Sequence, residues 1–518
     1  MTSAPLPGPT GPSGPSGAAA ARRAAPRPDH RAAVRPRASV RRTAVAVTAV
    51  ATCLALVAAT PYPGPLGVGD RLFPELGNPG YDVLRYDITL TYTGDNTVPL
   101  QARTRIHAEV TGERLETVNL DFAGGTVRSV SVNGAPATWQ AAGEDLVLTP
   151  ARPLTGGQPL HVDVRHTSPT SGAKPTGWIR TKGDGLALAS QPDAAHRVFP
   201  SNDHPSDKAH FTFRVTAPEE FTAVTTGHAV SRTRQAEGVT WTYRTARPLA
   251  TELAQVTIGR STVLRRPGPD GVQLRDVVPT RHRATLEPWA RKTSGHLEWM
   301  TGQVGPYPFD TYGVLVVEAA LGFALETQTL SLFSLDFLGN EDYPAWYRES
   351  IMVHELAHHW FGNSVSPHRW DDLWLNEGHA TWYEWRYAAG HGGPELTERV
   401  KRAYESSDQW RQAYGPPARL TPPPSGSEDK LNIFRPIVYD GAAVVLYALR
   451  QHIGAEAFER LQRTWVTRYQ HGVASTADFI ALAGEVAGRD VSGFLRDWLY
   501  GEKTPAMPGH PDWTAGTP

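Results

Sequence analysis

The chain has 518 residues, 40% of them hydrophobic and 20% charged, which is a globular rather than a disordered composition and too long for one ordinary core. A formal net charge of −1 gives no bulk attraction to nucleic acid or to a membrane surface, so neither is expected as a partner on charge grounds. The single cysteine, Cys53, excludes a disulfide framework and a thiolate zinc site, so any metal must be held by His, Asp or Glu.

Residues 1–38 are mostly Pro, Gly, Ala and Arg and read as a disordered tail. Residues 39–60 follow a different logic. Arg41 and Arg42 precede an uncharged run from Thr43 to Thr60, the pattern of a secretory signal peptide or an uncleaved signal-anchor helix. Small residues at Val57 and Ala59 would permit cleavage after Ala59. Positive charge on the N-terminal side predicts that the rest of the chain is exported, either extracellular or anchored to the outer face of the cytoplasmic membrane. Membrane contact is then expected only through this segment, if it is uncleaved. Residues 61–80 read as a linker.

From 81 to 275 the pattern is that of strands. "YDITLTY" (86–92), "VRSVSVNG" (127–134), "LHVDVRHT" (160–167), "HFTFRVTAP" (210–218) and "VTWTYRT" (239–245) alternate in hydrophobicity between turn residues. They predict an N-terminal antiparallel β-sandwich or saddle domain.

Residues 276–505 change character. "TLEPWARKTSGHLEWMTGQVG", "PAWYRESIMVHELAHHWFGN", "NEGHATWYEWRYAAG" and "GAAVVLYALRQHIG" have helical spacing, with Gly390 and Gly454 as helix ends. Twelve of the fifteen tryptophans lie after residue 250, which supports a change of domain. One strand-like region, 312–333, and one Pro-rich loop, 415–430, interrupt the helices, and residues 506–518 read as a loose tail.

The stretch "MVHELAHHWFGN" (352–363) carries the chemistry. His354 and His358 are four apart and share one helix face, so both imidazoles can reach one zinc. Glu355 is placed to take a proton from a metal-bound water. His359 is rotated by about 100° from His358 and is assigned to packing. Glu377, nineteen residues after His358 in "WLNEGHATWYEW", supplies an oxygen ligand at the start of another helical stretch. Two His, one Glu and a water make an open, four-coordinate catalytic site.

With those motifs in hand, the chain resembles the zinc aminopeptidases of peptidase family M1, from about Tyr81 to Gly501. "HELAHHWFGNSV" and "DDLWLNEGHA" resemble the family's zinc motif, and "FPSNDHPSDKAHFTF" (199–213) its β-domain signature. "GFALETQT" (322–329) stands where the family has a Gly-Ala-Met-Glu-Asn strand, and "VYDGAAVVLYALR" (438–450) resembles the segment with the catalytic tyrosine. The resemblance implies a β domain followed by a thermolysin-like, mainly helical catalytic domain. It implies His354, His358 and Glu377 as ligands of one zinc per chain, Glu355 as general base and Tyr439 as oxyanion donor. It further implies that Glu326 binds the substrate's free α-amino group, with Gln191 beside it and Gly322 and Ala324 also lining the substrate.

There are departures. Phe323, Leu325 and Thr327 replace the family's first Gly, its Met and its Asn, and Asp440-Gly441-Ala442 follows Tyr439 where Lys or Arg and then Gly are usual. The chain ends soon after Trp498, so the later helical domain of longer members is not expected. The implied function is hydrolysis of the N-terminal residue of peptides with a free N-terminus. A thermolysin-type endopeptidase is the alternative enzyme, but it has no use for Glu326. A non-catalytic, receptor-like relative is the alternative non-enzyme, against which the presence of both His, both Glu and the Tyr argues.

Overall fold

The computed structural model describes residues 66–172, 176–423 and 430–516, all within one compact unit, Tyr62–Pro518. The expected tail and signal segment, residues 1–60, lie outside the described residues. Among the described residues no helix is long and apolar enough to cross a membrane.

The long strands alternate because one face is dry. Leu100, Ala102, Thr104, Ile106, Ala108 and Val110 are buried in the strand Leu100–Val110, while Gln101, Arg105 and Glu109 are exposed. This strand pairs antiparallel with Tyr81–Thr91 on one side and with Pro159–Ser168 on the other, in a sheet of nine described strands. One pairing departs from the antiparallel expectation: Tyr81–Thr91 runs parallel to Lys208–Ala217, with Ile88 opposite Phe213. Parallel neighbours need a long crossover, and the intervening strands supply it. Smaller sheets cover the dry face, and Ile88, Leu90, Phe211, Phe213, Val224 and Ile258 fill one core.

The change of domain falls earlier than residues 275–276. Ser261–Pro267 and Gln273–Pro279 pair not with the β domain but with each other and onward to Val314–Val317 and Ser331–Ser334. Alternation looks alike in either sheet, so sequence periodicity cannot assign a strand to one of them. Leu325, Leu330 and Leu332 nevertheless join the β-domain core beside Leu188 and Leu253. That shared core seats the Glu326 segment against the β domain.

The helices Ala345–Ala357, Trp374–Gly390 and Asp440–Ile453 pack around a second core that includes Val353, Leu356, Trp382, Trp385, Val444 and Leu446. The latter two approach closely at Gly378, where a Cβ would stand 2.6 Å from Ala442 Cβ. This contact sets the start of the Tyr439 helix beside Glu377.

A segment read as a linker and one expected to be a loose tail are both packed. In the supposed linker, Leu72, Phe73 and Leu76 are buried with Trp370, Leu373, Ile433, Ile437 and Val438, and Asp70 Oδ2 accepts from Trp370 N at 2.8 Å. In the supposed tail, Met507 and Trp513 are buried, His510 stacks on Trp513 at 3.9 Å, and Gly516 N donates to Glu405 O at 2.9 Å. A few aromatic anchors hold both segments against the helical core.

Candidate active site

His354 lies in the last turn of Ala345–Ala357, and the bond from His358 N to His354 O at 3.3 Å carries the helical path on to His358. Glu377 stands in the first turn of Trp374–Gly390. Its Oε2 is 3.4 Å from His354 Nε2 and 3.4 Å from His358 Nε2. All three ligand atoms lie within 4.8 Å of one another, and all three residues are buried. Ligands at about 2.0–2.1 Å in tetrahedral array are spaced by roughly 3.3–3.4 Å, so Glu377 stands at zinc spacing from each histidine.

The far side of each ring fixes the tautomer that leaves Nε2 free for a cation. His354 Nδ1 donates to Glu384 Oε2 at 3.1 Å, and His358 Nδ1 donates to Phe361 O at 3.1 Å. Arg399 Nη2 holds the other oxygen of Glu384 at 2.9 Å. Glu384 and Arg399 escaped the sequence reading. The available signal was the spacing of Glu384, seven residues and two turns after Glu377 on the same helix face.

Glu355 is 6% exposed and its Oε2 has no hydrogen-bond partner. Burial pushes its carboxyl up to about 8; the Glu326 carboxylate adds to the rise and His354 opposes it. A buried acid left without a donor, beside three preset metal donors, fits a bound water as its missing partner. Two imidazoles and a carboxylate are zinc chemistry, so the residues fit that ion. His359 is fully buried and turned away: Thr329 N donates to its Nε2 at 2.9 Å.

Tyr439 immediately precedes Asp440–Ile453, and its ring lies 6.0 Å from that of His354 at 26°. Burial raises its phenol well above the ordinary range, with Glu377, Glu326 and Glu355 adding, so it stays a proton donor. Gln191 Nε2 donates to Glu326 Oε1 at 2.7 Å across 135 positions of sequence. Asn363 Nδ2 donates to Glu326 O at 2.8 Å, which ties this segment to the chain just after the zinc motif. Residues 321–324 do not form the expected strand. Gly322 has φ +71, off the extended region, and only Leu325 bridges to Leu332. Ala324 is half-buried and Phe323 is exposed.

This is a two-domain protein with the donor set of a zinc hydrolase. Residues 84–253 match the Peptidase M1 N-terminal domain, and residues 291–498 match the Peptidase family M1 domain. The chain belongs to peptidase family M1. It is 26% identical over 403 residues to Aminopeptidase N of Streptomyces lividans, covering 73% of this chain and 46% of that protein. It is 25% identical over 447 residues to Aminopeptidase 2 of Candida albicans, covering 80% of this chain and 46% of that one. The chain thus spans less than half the length of these curated relatives. The crystal structure of an M1 zinc metallopeptidase from Deinococcus radiodurans superposes with a TM-score of 0.72 at 27% identity, covering 85% of this chain and 99% of that one. A mutant of the Deinococcus enzyme bound to a Tyr-Ser-Ala substrate is similar at 28% identity, with the same TM-score and coverage.

Proposed function

We propose that this protein is a zinc aminopeptidase that binds one zinc per chain and removes the N-terminal residue of peptides. The observation that carries the reading is the Gln191–Glu326 pair beside the His354, His358 and Glu377 donors. A carboxylate held there by an amide suits a substrate ammonium, and an endopeptidase needs no such group. The names of the relatives above support it.

Zinc, when bound, supplies Lewis acidity and lowers the pKa of a water. Glu355, buried with an unpartnered carboxylate oxygen, would accept the proton of a water held at the site and return it to the leaving amine. The protonated Tyr439 hydroxyl donates to the oxygen that becomes negative as water adds to the scissile carbonyl. Glu326 Oε2 and Gln191 Oε1 would hold the α-ammonium, which limits cleavage to the first peptide bond.

The test is hydrolysis of aminoacyl fluorogenic substrates with free and N-acetylated termini. Free-amine substrates should be cleaved at least tenfold faster, since a charge-assisted hydrogen bond is worth roughly 1.5–3 kcal/mol. Ready cleavage of acetylated peptides would favour the endopeptidase.

Export is part of the proposal, supported by Arg41, Arg42 and the uncharged run Thr43–Thr60. Protease added to intact cells should digest the protein if it is tethered, and culture medium should contain it if it is released. Confinement to the cytosolic fraction would refute this part.

A further inference from the structure

Glu326 immediately precedes a tight turn. Leu330 N donates to Thr327 O at 3.0 Å, which closes a turn with Thr329 in its third place. Thr329 has φ +67, the left-handed region that turns usually give to Gly or Asn and that a β-branched side chain resists. A residue in such a conformation persists only where its surroundings hold it, and residues of this kind gather at functional sites.

Thr329 is held from three directions. Its Oγ1 accepts from Gly227 N at 3.1 Å and from Arg275 Nη2 at 3.3 Å, and its N donates to His359 Nε2 at 2.9 Å. The last bond makes Nε2 an acceptor and puts the ring hydrogen on Nδ1, which donates to Glu355 O at 3.2 Å. His359 therefore joins the backbone of Glu355 to the turn that follows Glu326. Its ring is fully buried in an aromatic cage, with Tyr312 edge-on at 4.9 Å, Tyr307 at 5.7 Å and Phe309 at 5.9 Å.

A second bridge runs beside the first. Asn363 N donates to His358 O at 2.9 Å, and Asn363 Nδ2 donates to Glu326 O at 2.8 Å. One bridge ends on the Glu326 carbonyl and the other on the turn just beyond it, and both start from the backbone of the stretch that carries the metal donors. Filling the aromatic cage asks only for a ring. The histidine adds an acceptor for Thr329 N and a donor for Glu355 O.

We propose that His359 and Asn363 are positioning residues that together set the distance from the zinc to the ammonium site. This rests on the aminopeptidase reading above. In that reading the first peptide bond meets Glu355 only while Glu326 keeps its place, and a misplacement of about 1 Å can cost about a hundredfold in rate.

The experiment measures zinc content and kcat/KM for leucine-aminomethylcoumarin and its N-acetyl counterpart on the wild type, His359→Phe, His359→Gln and Asn363→Leu. His359→Phe fills the cage and breaks both ring bonds; Asn363→Leu breaks the bond to Glu326 O. In each, the preference for the free amine should fall by at least about tenfold, with zinc retained and the acetylated substrate within about twofold of wild type. His359→Gln restores an acceptor for Thr329 N and should recover the preference to within about threefold. A merely structural role lowers both substrates together. Equal loss on both substrates, an unchanged preference, loss of zinc, or no recovery in His359→Gln therefore overturns the proposal. If one of the two disruptive variants does not fold, the other decides; if neither folds, the role is structural and the proposal falls. If the wild type cleaves no aminoacyl substrate, the aminopeptidase reading fails, and equilibrium binding of leucine amide and N-acetyl-leucine amide judges the two residues alone. A wild-type preference for the free amine that the variants lose supports their role; equal affinity in the wild type, or a preference kept by the variants, overturns it.

Discussion

Glu384 Oε2 accepts a hydrogen bond from His354 Nδ1 at 3.1 Å while Arg399 Nη2 binds its other oxygen at 2.9 Å. The metal-facing nitrogen of His354 is thus set by a residue that touches no metal. Loss of such a partner typically weakens a site ten- to a hundredfold. Glu384→Ala should reduce zinc affinity by about that much in a chelator competition, with the helices intact by circular dichroism. Unchanged affinity would assign Glu384 to packing.

The ligand and base roles separate by mutation. Glu377→Ala removes a donor and should lose both zinc and activity. Glu355→Gln keeps the donor set and should retain zinc, while activity falls by at least about a hundredfold, because the proton acceptor is gone. Metal analysis on the two purified variants decides. Zinc lost from the Glu355 variant and kept by the Glu377 variant would reverse the assignment.

Stability should fall on both sides of a mildly acidic optimum, and His196 is one reason. Burial disfavours its cation, but Asp203, at 2.7 Å from Nδ1, and Glu144, at 3.3 Å from Nε2, reverse this and raise it to about 10 from 6.5. A raised folded pKa gives stability that is complete below pH 6.5 and is lost as the pH climbs towards 10. Glu144 is lowered, chiefly by its bond to His196, so its share is present above pH 4.5 and is lost in acid. A Tm profile of the wild type should therefore decline above pH 6.5, and that of His196→Asn should be flatter there. The variant should also be less stable by about 3–5 kcal/mol near pH 6, as for a broken buried pair. Parallel profiles would remove His196 from the account.

Gly378→Ala tests the close helix contact. Its Cβ would meet Ala442 Cβ at 2.6 Å, so the Trp374–Gly390 and Asp440–Ile453 helices must separate. Overpacking of this kind costs about 1–3 kcal/mol. Because Glu377 is adjacent and Tyr439 begins the opposing helix, zinc affinity and kcat should both drop. Gly378→Ala with Ala442→Gly should recover them. Failure of the double variant to recover either would show that the contact does not position the site.

The sequence by itself determined what is local. Ligands four residues apart share a helix face whatever surrounds them, so His354, His358 and the adjacent Glu355 were legible. Helix ends at Gly390 and Gly454 and the alternation of the long strands were legible for the same reason. Tertiary structure decided whatever joins distant chain. The Gln191–Glu326 bond spans 135 positions, and residue spacing alone supplies no distance between them. The Glu252 and Leu253 carbonyls accept from the Ser190 hydroxyl and the Gln328 amide, contacts that no periodicity encodes. The Glu384 tether to His354 needs two helices at a fixed angle. Residues 66–80 read as part of a linker and 506–516 as part of a loose, Pro-rich tail. Their order comes from Phe73 against Trp370 and from His510 on Trp513, contacts that exist only once the helical core has formed to receive them.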